Sequence, residues 1–322
     1  MNVSSIFLRP LPLLNGVYLL NEGVSEHENQ SQTNQAFTNK WDAYSKEDII
    51  EQEKLFEFQK EWYLTLYGFS SEADLAFYLK DKHVIIDAGS GLGYKAKWFA
   101  DLSPASLVIG IDYSDAVFVA AERYKLIPNL FFVKGDIADT QIKSESVDYV
   151  SCDQVIMHTE NPDMTFKELV RILKPDRDFA VYVYAKKALP RELLDDYFRH
   201  QTKEISHDDM MLLSKQLTEL GRVLSELNIE VDFPSIPLLG IKGGKEDLQR
   251  FIYWNFLKCY WNEHLGYATS VAVNYDWYSP SNAKRYSSTE FMDMVNTQKL
   301  KKIHFHSEEA CYSGRFSKPC AV

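Results

Sequence analysis

The chain has 322 residues, 45% hydrophobic and 25% charged, a globular composition with enough apolar material for one large domain or two small ones. Its formal net charge of -11 argues against a protein built to neutralise nucleic-acid phosphates, so no nucleic-acid partner is expected. No apolar run approaches the roughly 18 to 20 residues that span a bilayer, and "SSIFLRPLPLLNGVYLL" is broken by Arg9, Pro10 and Pro12, which also makes a secretory signal a poor reading.

Residues 1–30 end in the polar stretch "NEGVSEHENQSQTNQ", whose composition predicts a weakly ordered N-terminal arm. Over residues 31–80, "AFTNKWDAYSKEDIIEQEKLFEFQKEWYLTLYGF" and "SEADLAFYLK" space apolar residues three and four apart, which predicts helices with Ser71 as a cap and Gly68 as a break. Over residues 81–185 the period changes. Short apolar runs, "HVIIDAG", "SLVIGID", "LFFVKGD", "VDYVSCD" and "FAVYVYA", alternate with helical stretches, "GYKAKWFADL", "SDAVFVAAERYKL" and "NPDMTFKELVRIL". Continuous apolarity marks strands buried on both faces, and the alternation predicts an α/β fold with a doubly wound, mostly parallel sheet.

Residues 186–287 interrupt that pattern with mainly helical sequence, including the aromatic-rich "FIYWNFLKCYWNEHLGY", and read as an inserted helical cap. Residues 288–322 supply one more helix, "SSTEFMDMVNTQ", and two strand-like runs, "LKKIHFHSE" and "ACYSGRF", that complete a sheet of about seven strands. The four cysteines, Cys152, Cys259, Cys311 and Cys320, are scattered, with no CxxC and no zinc-like spacing to histidine. A reducing cytoplasm and no structural metal are the expectation.

The chemistry starts at "VIIDAGSGLGYKAKWFA". Gly89, Gly91 and Gly93 permit positive φ and, lacking Cβ, let a ligand touch the backbone. The helix that follows offers bare N–H groups to an anion, either a pyrophosphate or a carboxylate. Asp112 ends the next strand, where a carboxylate meets ribose hydroxyls, as it also would for NAD. Asp136 ends the third, so that Asp87, Asp112 and Asp136 line successive strand ends. The third glycine of the NAD pattern G-x-G-x-x-G would fall on Tyr94, whose ring argues against that cofactor.

The segments "VIIDAGSGLG", "IGIDYSD", "VKGDI", "VDYVSCDQVIMHTENP" and "FKELVRILKPDRDFAVYVY" resemble the class I methyltransferases that use S-adenosylmethionine, particularly their small-molecule branch. The resemblance spans about residues 83–185. It implies a Rossmann-like core with an N-terminal helical lid, S-adenosylmethionine as cofactor and a small-molecule acceptor. By resemblance, Gly89, Gly91 and Gly93 hold the methionine part with Asp87 nearby; Asp112 binds the ribose and Tyr113 lies along the adenosine. Asp136 and Ile137 frame the adenine, Asp153 and Gln154 lie near the cofactor, and His158 faces the acceptor. Two departures stand out. The family's "KPGG" turn reads "KPDRD", and "LPLLNGVYLL" resembles the tail of a small zinc-ribbon module whose cysteines are absent, so no zinc is expected.

Methyl transfer from a sulfonium needs alignment first and a general base only when the acceptor loses a proton. His158 is the first candidate base, the alternative being a cap for the loop "HTENP". Tyr182 or Tyr184 would orient an acceptor, or pack the core. Phe37, Trp41 and Tyr44 would form an aromatic lid wall with cation-π contact to a sulfonium, or staple a helix to the core. The cluster Phe251, Tyr253, Trp254, Phe256, Tyr260 and Trp261 has three readings: an acceptor pocket, a subunit surface for a homodimer, or the cap's own core. The competing function is a non-catalytic protein of the same fold that binds S-adenosylmethionine or a partner.

Overall fold

The computed structural model describes residues 3–20, 28–45, 49–202 and 204–320, with backbone alone at 42–45 and 49–51. The chain forms two compact units. The first comprises Met1–His27, Phe56–Ala185 and Lys284–Val322, and the second Glu28–Leu55 and Lys186–Ala283.

In chain order, short strands β1 (Leu13–Leu14) and β2 (Val17–Leu19) precede helices α1 (Glu28–Ser45), α2 (Ile49–Tyr67) and α3 (Glu72–Leu79). Strands and helices then alternate: β3 (Val84–Ala88), α4 (Tyr94–Leu102), β4 (Leu107–Asp112), α5 (Ala116–Arg123), β5 (Leu130–Lys134), β6 (Val147–Cys152), α6 (Pro162–Ile172) and β7 (Leu173–Ala185). Next come α7 (Leu189–Thr202), α8 (His207–Glu226), a hairpin of β8 (Glu230–Phe233) and β9 (Gly244–Asp247), α9 (Leu248–Asn255) and α10 (Gly266–Tyr278). The chain closes with β10 (Arg285–Tyr286), α11 (Ser288–Thr297), β11 (Lys301–Ser307) and β12 (Cys311–Ser317).

The sheet of the first unit runs β1-β2-β5-β4-β3-β6-β7-β12-β11, with β10 beside β7. The seven strands from β5 to β11 in that order are the ones read from the sequence. β3 lies parallel between β4 and β6, and Asp87 is level with Gly110 and Ser151. The chain therefore reverses direction across the sheet at β3, and the crevice at its carboxyl end is the topological switch point. Every residue of β3 and of β6 is buried, as their unbroken apolar runs require. Gly68 takes φ +71 after α2, and the Ser71 side chain accepts from the Asp74 N–H to cap α3.

Three features differ from the sequence reading. Residues 3–20 are ordered rather than part of a loose arm: Asn15 and Gly16 adopt φ +47 and +80, the type I′ hairpin geometry, and β2 pairs parallel with β5. Leu20 then packs where a Cβ on Gly135 would stand 2.4 Å from its Cδ1. The polar run that suggested an arm falls on residues 21–27, outside those described, and on the start of α1. The cap segment is helical but also carries the β8/β9 hairpin. Finally, α1 groups with residues 186–283: Gln32 donates to the Ser279 carbonyl at 2.8 Å, and Lys40 pairs with Asp276 at 2.5 Å. The "KPDRD" turn lacks glycine, yet Asp176 adopts φ +54 and donates its N–H to the Lys318 carbonyl.

Asp148 fixes the strand register at the opposite end of β6. Its buried carboxylate accepts the His83 and Val84 N–H groups, each at 3.0 Å, and the Lys174 ammonium at 2.9 Å. Asp148→Ala strands these donors, and urea unfolding should report a loss of about 3 kcal/mol.

Candidate functional site

The turn after β3 is closed by its own backbone. The Gly89 and Ser90 N–H groups donate to the Ile111 carbonyl at 2.7 and 3.0 Å, while Gly91 donates to Asp112 Oδ2 at 2.7 Å. Gly89, Gly91 and Gly93 take φ +84, +50 and +75. Space matters as much as torsion: a Cβ on Gly89 would lie 2.3 Å from Val155, and one on Gly93 would lie 2.6 Å from Phe132. Tyr94, at the position that disfavours NAD, stacks on Phe56 of α2 at 4.2 Å.

Behind the turn lies a buried charged network. Asp87 is 1% exposed and accepts the Ala96 N–H, but its Oδ2 has no hydrogen-bond partner among the described residues. Burial pushes its pKa up to about 6; the Lys95 ammonium opposes the rise, and Asp153 and Asp112 add to it. Lys95, buried on the first turn of α4, donates to Asp153 Oδ2 at 2.5 Å. Burial pulls the lysine pKa down, but Asp153 and Asp87 outweigh that and hold it above its ordinary value. The Tyr67 hydroxyl, from the end of α2, donates to Asp153 Oδ1 at 2.7 Å. Next to Asp153, Gln154 takes φ +65 and its amide reaches Asp153 at 3.3 Å.

Along the same edge, Asp112 Oδ1 accepts the Ser114 N–H and hydroxyl at 2.8 and 2.6 Å. With Gly91 on Oδ2, three of about four acceptor sites are used and one remains. Burial raises the Asp112 pKa against these bonds. Half-buried Tyr113 follows it in the chain. Asp136 holds the Ala138 N–H at 2.8 Å, burial raises its pKa as well, and Ile137 beside it is buried. Four carboxylates thus occupy the carboxyl edge with the Lys95 ammonium among them; Lys134, further along, is paired with Asp115.

His158 ends a short 3-10 turn, Ile156–His158, and is 6% exposed. Its Nε2 lies 3.3 Å from the Tyr184 hydroxyl, and the rings meet edge to face at 5.4 Å. Tyr182 is buried against Trp62 and Tyr184. In the second unit, the Lys40 ammonium sits 4.1 Å from the Trp41 ring and 5.8 Å from Phe37. The aromatic faces expected to meet a sulfonium therefore already hold a cation of the chain itself; the side chain of Tyr44 lies outside those described. Phe251 stacks on Phe233 at 3.5 Å, and Tyr253 contacts Trp254 and Tyr260. Sequence reasoning missed Lys95 and Tyr67. The available signal was a lysine on the buried face of the helix after the glycine turn.

Residues 86–181 match the family model of a methyltransferase domain. The chain is similar to the sterol 24-C-methyltransferase of Aspergillus fumigatus, 31% identical over 32% of this chain and 28% of that protein. It is also similar to the malonyl-[acyl-carrier protein] O-methyltransferase of Marinomonas sp., 28% identical over 49% of this chain and 60% of that protein. The matches span less than two thirds of these relatives' own lengths. Among solved structures, PKMT2 from Rickettsia typhi in complex with AdoHcy aligns with a TM-score of 0.47 at 17% identity, over 70% of this chain and 40% of that one.

The raised Asp87 pKa has a stability consequence. Below about pH 3 the carboxyl is protonated in both folded and unfolded chains; as pH rises towards about 6, only the unfolded chain loses the proton, so folding is disfavoured progressively and by a constant amount above. The advantage of Asp87→Asn over the parent in unfolding free energy should therefore grow by about 3 kcal/mol between about pH 3 and pH 7 and then level off. Chemical denaturation across that range measures it.

Proposed function

We propose that this chain, whose residues 86–181 carry a methyltransferase domain of the class I type, moves a methyl group from S-adenosylmethionine to a small-molecule acceptor. The observation that carries the reading is the unpartnered Asp87 Oδ2 on an edge rich in carboxylates. A buried acid with an unused oxygen favours a cationic ligand, and S-adenosylmethionine brings both an ammonium and a sulfonium. NAD would bring a pyrophosphate, and hence more negative charge, to the same edge.

The residues present fit this cofactor. The bare turn of Gly89, Gly91 and Gly93 would take the methionine part, with Asp87 Oδ2 as an acceptor. The remaining acceptor site of Asp112 would serve the ribose, Tyr113 would flank the adenosine, and Asp136 and Ile137 would meet the adenine. Asp153 and Gln154, held by Lys95 and Tyr67, would border the reacting end. When bound, the cofactor supplies a methyl group that its sulfonium has already activated, leaving the protein to align the acceptor and exclude water. His158 would receive the acceptor's proton at a ring nitrogen, with the Tyr184 hydroxyl orienting the ring.

Free cysteines at 152, 259, 311 and 320 support a cytoplasmic setting. Among the described residues, no helix is long and apolar enough to cross a membrane. Leu193 and Tyr197, each 64% exposed one turn apart on α7, support a homodimer formed through the cap.

Asp112→Ala should weaken S-adenosylmethionine binding more than about tenfold while the far-UV spectrum is unchanged; unchanged affinity would place the ribose elsewhere. With an active acceptor, His158→Ala should lower turnover by about 100-fold or more without altering cofactor affinity. Cofactor affinity with no turnover on any acceptor would favour the non-catalytic alternative.

A further inference from the structure

Away from the carboxyl edge, the first unit has an open cavity of about 460 Å³ where α3 and residues 80–82, leading into the amino end of β3, meet β12. Arg315 of β12 lines it. Its side chain is 13% exposed, its Nε is buried, and among the described residues none of its five N–H groups donates a hydrogen bond. The Asp178 carboxylate lies 3.6 Å from that Nε, but the bond it accepts comes from the Tyr78 hydroxyl at 3.0 Å. The guanidinium rests over the Phe69 ring at 4.2 Å and the Tyr78 ring at 4.8 Å, which positions it and leaves its donors unfilled.

The rest of the lining leaves a second cation and one acceptor open. The Lys80 ammonium has no carboxylate within ion-pair distance among the described residues. Asp74 Oδ2 takes the Ser70 N–H and hydroxyl at 2.9 and 3.1 Å, while among the described residues Oδ1 takes no hydrogen bond. Those Ser70 bonds, with the Arg315 charge added, hold the Asp74 carboxyl below its usual pKa, so it is ionised at neutral pH. Lys82 and Asp81 are paired with each other at 2.5 Å. The cations Lys80, Lys82 and Arg315 therefore meet the carboxylates of Asp74, Asp81 and Asp178 in balance, and a ligand with a net charge would upset it. Phe77 supplies apolar surface: Lys80 lies 3.5 Å from its ring centre, yet the residue is 67% exposed, so much of the ring stays open.

We propose that this cavity binds a zwitterionic α-amino acid with an apolar side chain. The ligand's carboxylate meets the Arg315 fork and Lys80, its ammonium donates to Asp74 Oδ1, and its side chain lies against the open part of Phe77. The volume suffices for a ligand of that size. The cavity lies wholly within the first unit and stands independently of the methyl-transfer reading.

The test is calorimetric titration of the full chain with L-phenylalanine and with its singly charged analogues 3-phenylpropionate and phenethylamine. Phenylalanine should bind, with each analogue at least about tenfold weaker. S-adenosylmethionine itself carries an amino-acid end, so the titration is repeated with that ligand at saturation, and phenylalanine affinity should not change. Arg315→Gln should weaken both phenylalanine and 3-phenylpropionate more than about tenfold. Asp74→Asn, on the surface of α3, should weaken phenylalanine by about tenfold without weakening 3-phenylpropionate, and it tests the site even where Arg315→Gln disturbs folding. Phenylalanine that fails to bind at about 10 mM, an analogue that binds as tightly, displacement by S-adenosylmethionine, or affinity untouched by both substitutions would overturn the proposal.

Discussion

One buried lysine holds the working edge of the sheet together. Lys95 reaches from the first turn of α4 to Asp153 beyond β6, across the crevice where the sheet order reverses, and its charge also tempers Asp87 at the end of β3. Two acids buried this closely would otherwise suppress each other's ionisation. With Lys95 among them, both oxygens of Asp153 accept hydrogen bonds, while Asp87 keeps an oxygen without a partner among the described residues. Tyr67 adds a second tie to Asp153 from α2, so the helix packed on the sheet and the charge state of the crevice depend on one another.

Around that network the backbone leaves little freedom. Val155 occupies the space that a side chain on Gly89 would need, while Phe132 and Ala120 do the same at Gly93. Glycine here answers a packing demand as well as a torsional one, and the same absence of Cβ leaves the turn bare toward a ligand. Asp112 joins the two roles: one oxygen pins the turn through Gly91 and the other pins the following loop through Ser114. The loops at the ends of β3 and β4 are therefore rigid before any ligand arrives, a condition under which binding loses little to ordering.

Much of this was legible in the sequence because it is local. Continuous apolar runs identified the buried strands, Ser71 and Gly68 marked helix ends, and the acids after successive strands identified one edge of the sheet. Features that depend on distant segments were hidden. Lys95 looked like an ordinary lysine in a helix, because its partner Asp153 lies well along the chain and meets it only once β6 has crossed to the far side of β3. The pairing of β2 with β5 rests on a short apolar stretch beside a polar run that dominated the composition. The grouping of α1 with residues 186–283 depends on Gln32, Thr33 and Lys40, polar residues whose partners no periodicity points to. His158 and Tyr184 were each singled out, but their approach follows from β6 and β7 being neighbours in the sheet.

The account turns on the claim that this edge selects a cationic adenosyl ligand. The most direct measurement is parallel calorimetric titration of the parent chain with S-adenosylmethionine, S-adenosylhomocysteine and NAD. Saturable binding of the adenosyl ligands with none of NAD is the predicted result. Binding of NAD, or of none of the three, would contradict it and show that the unused Asp87 oxygen and the open turn serve a different ligand or none.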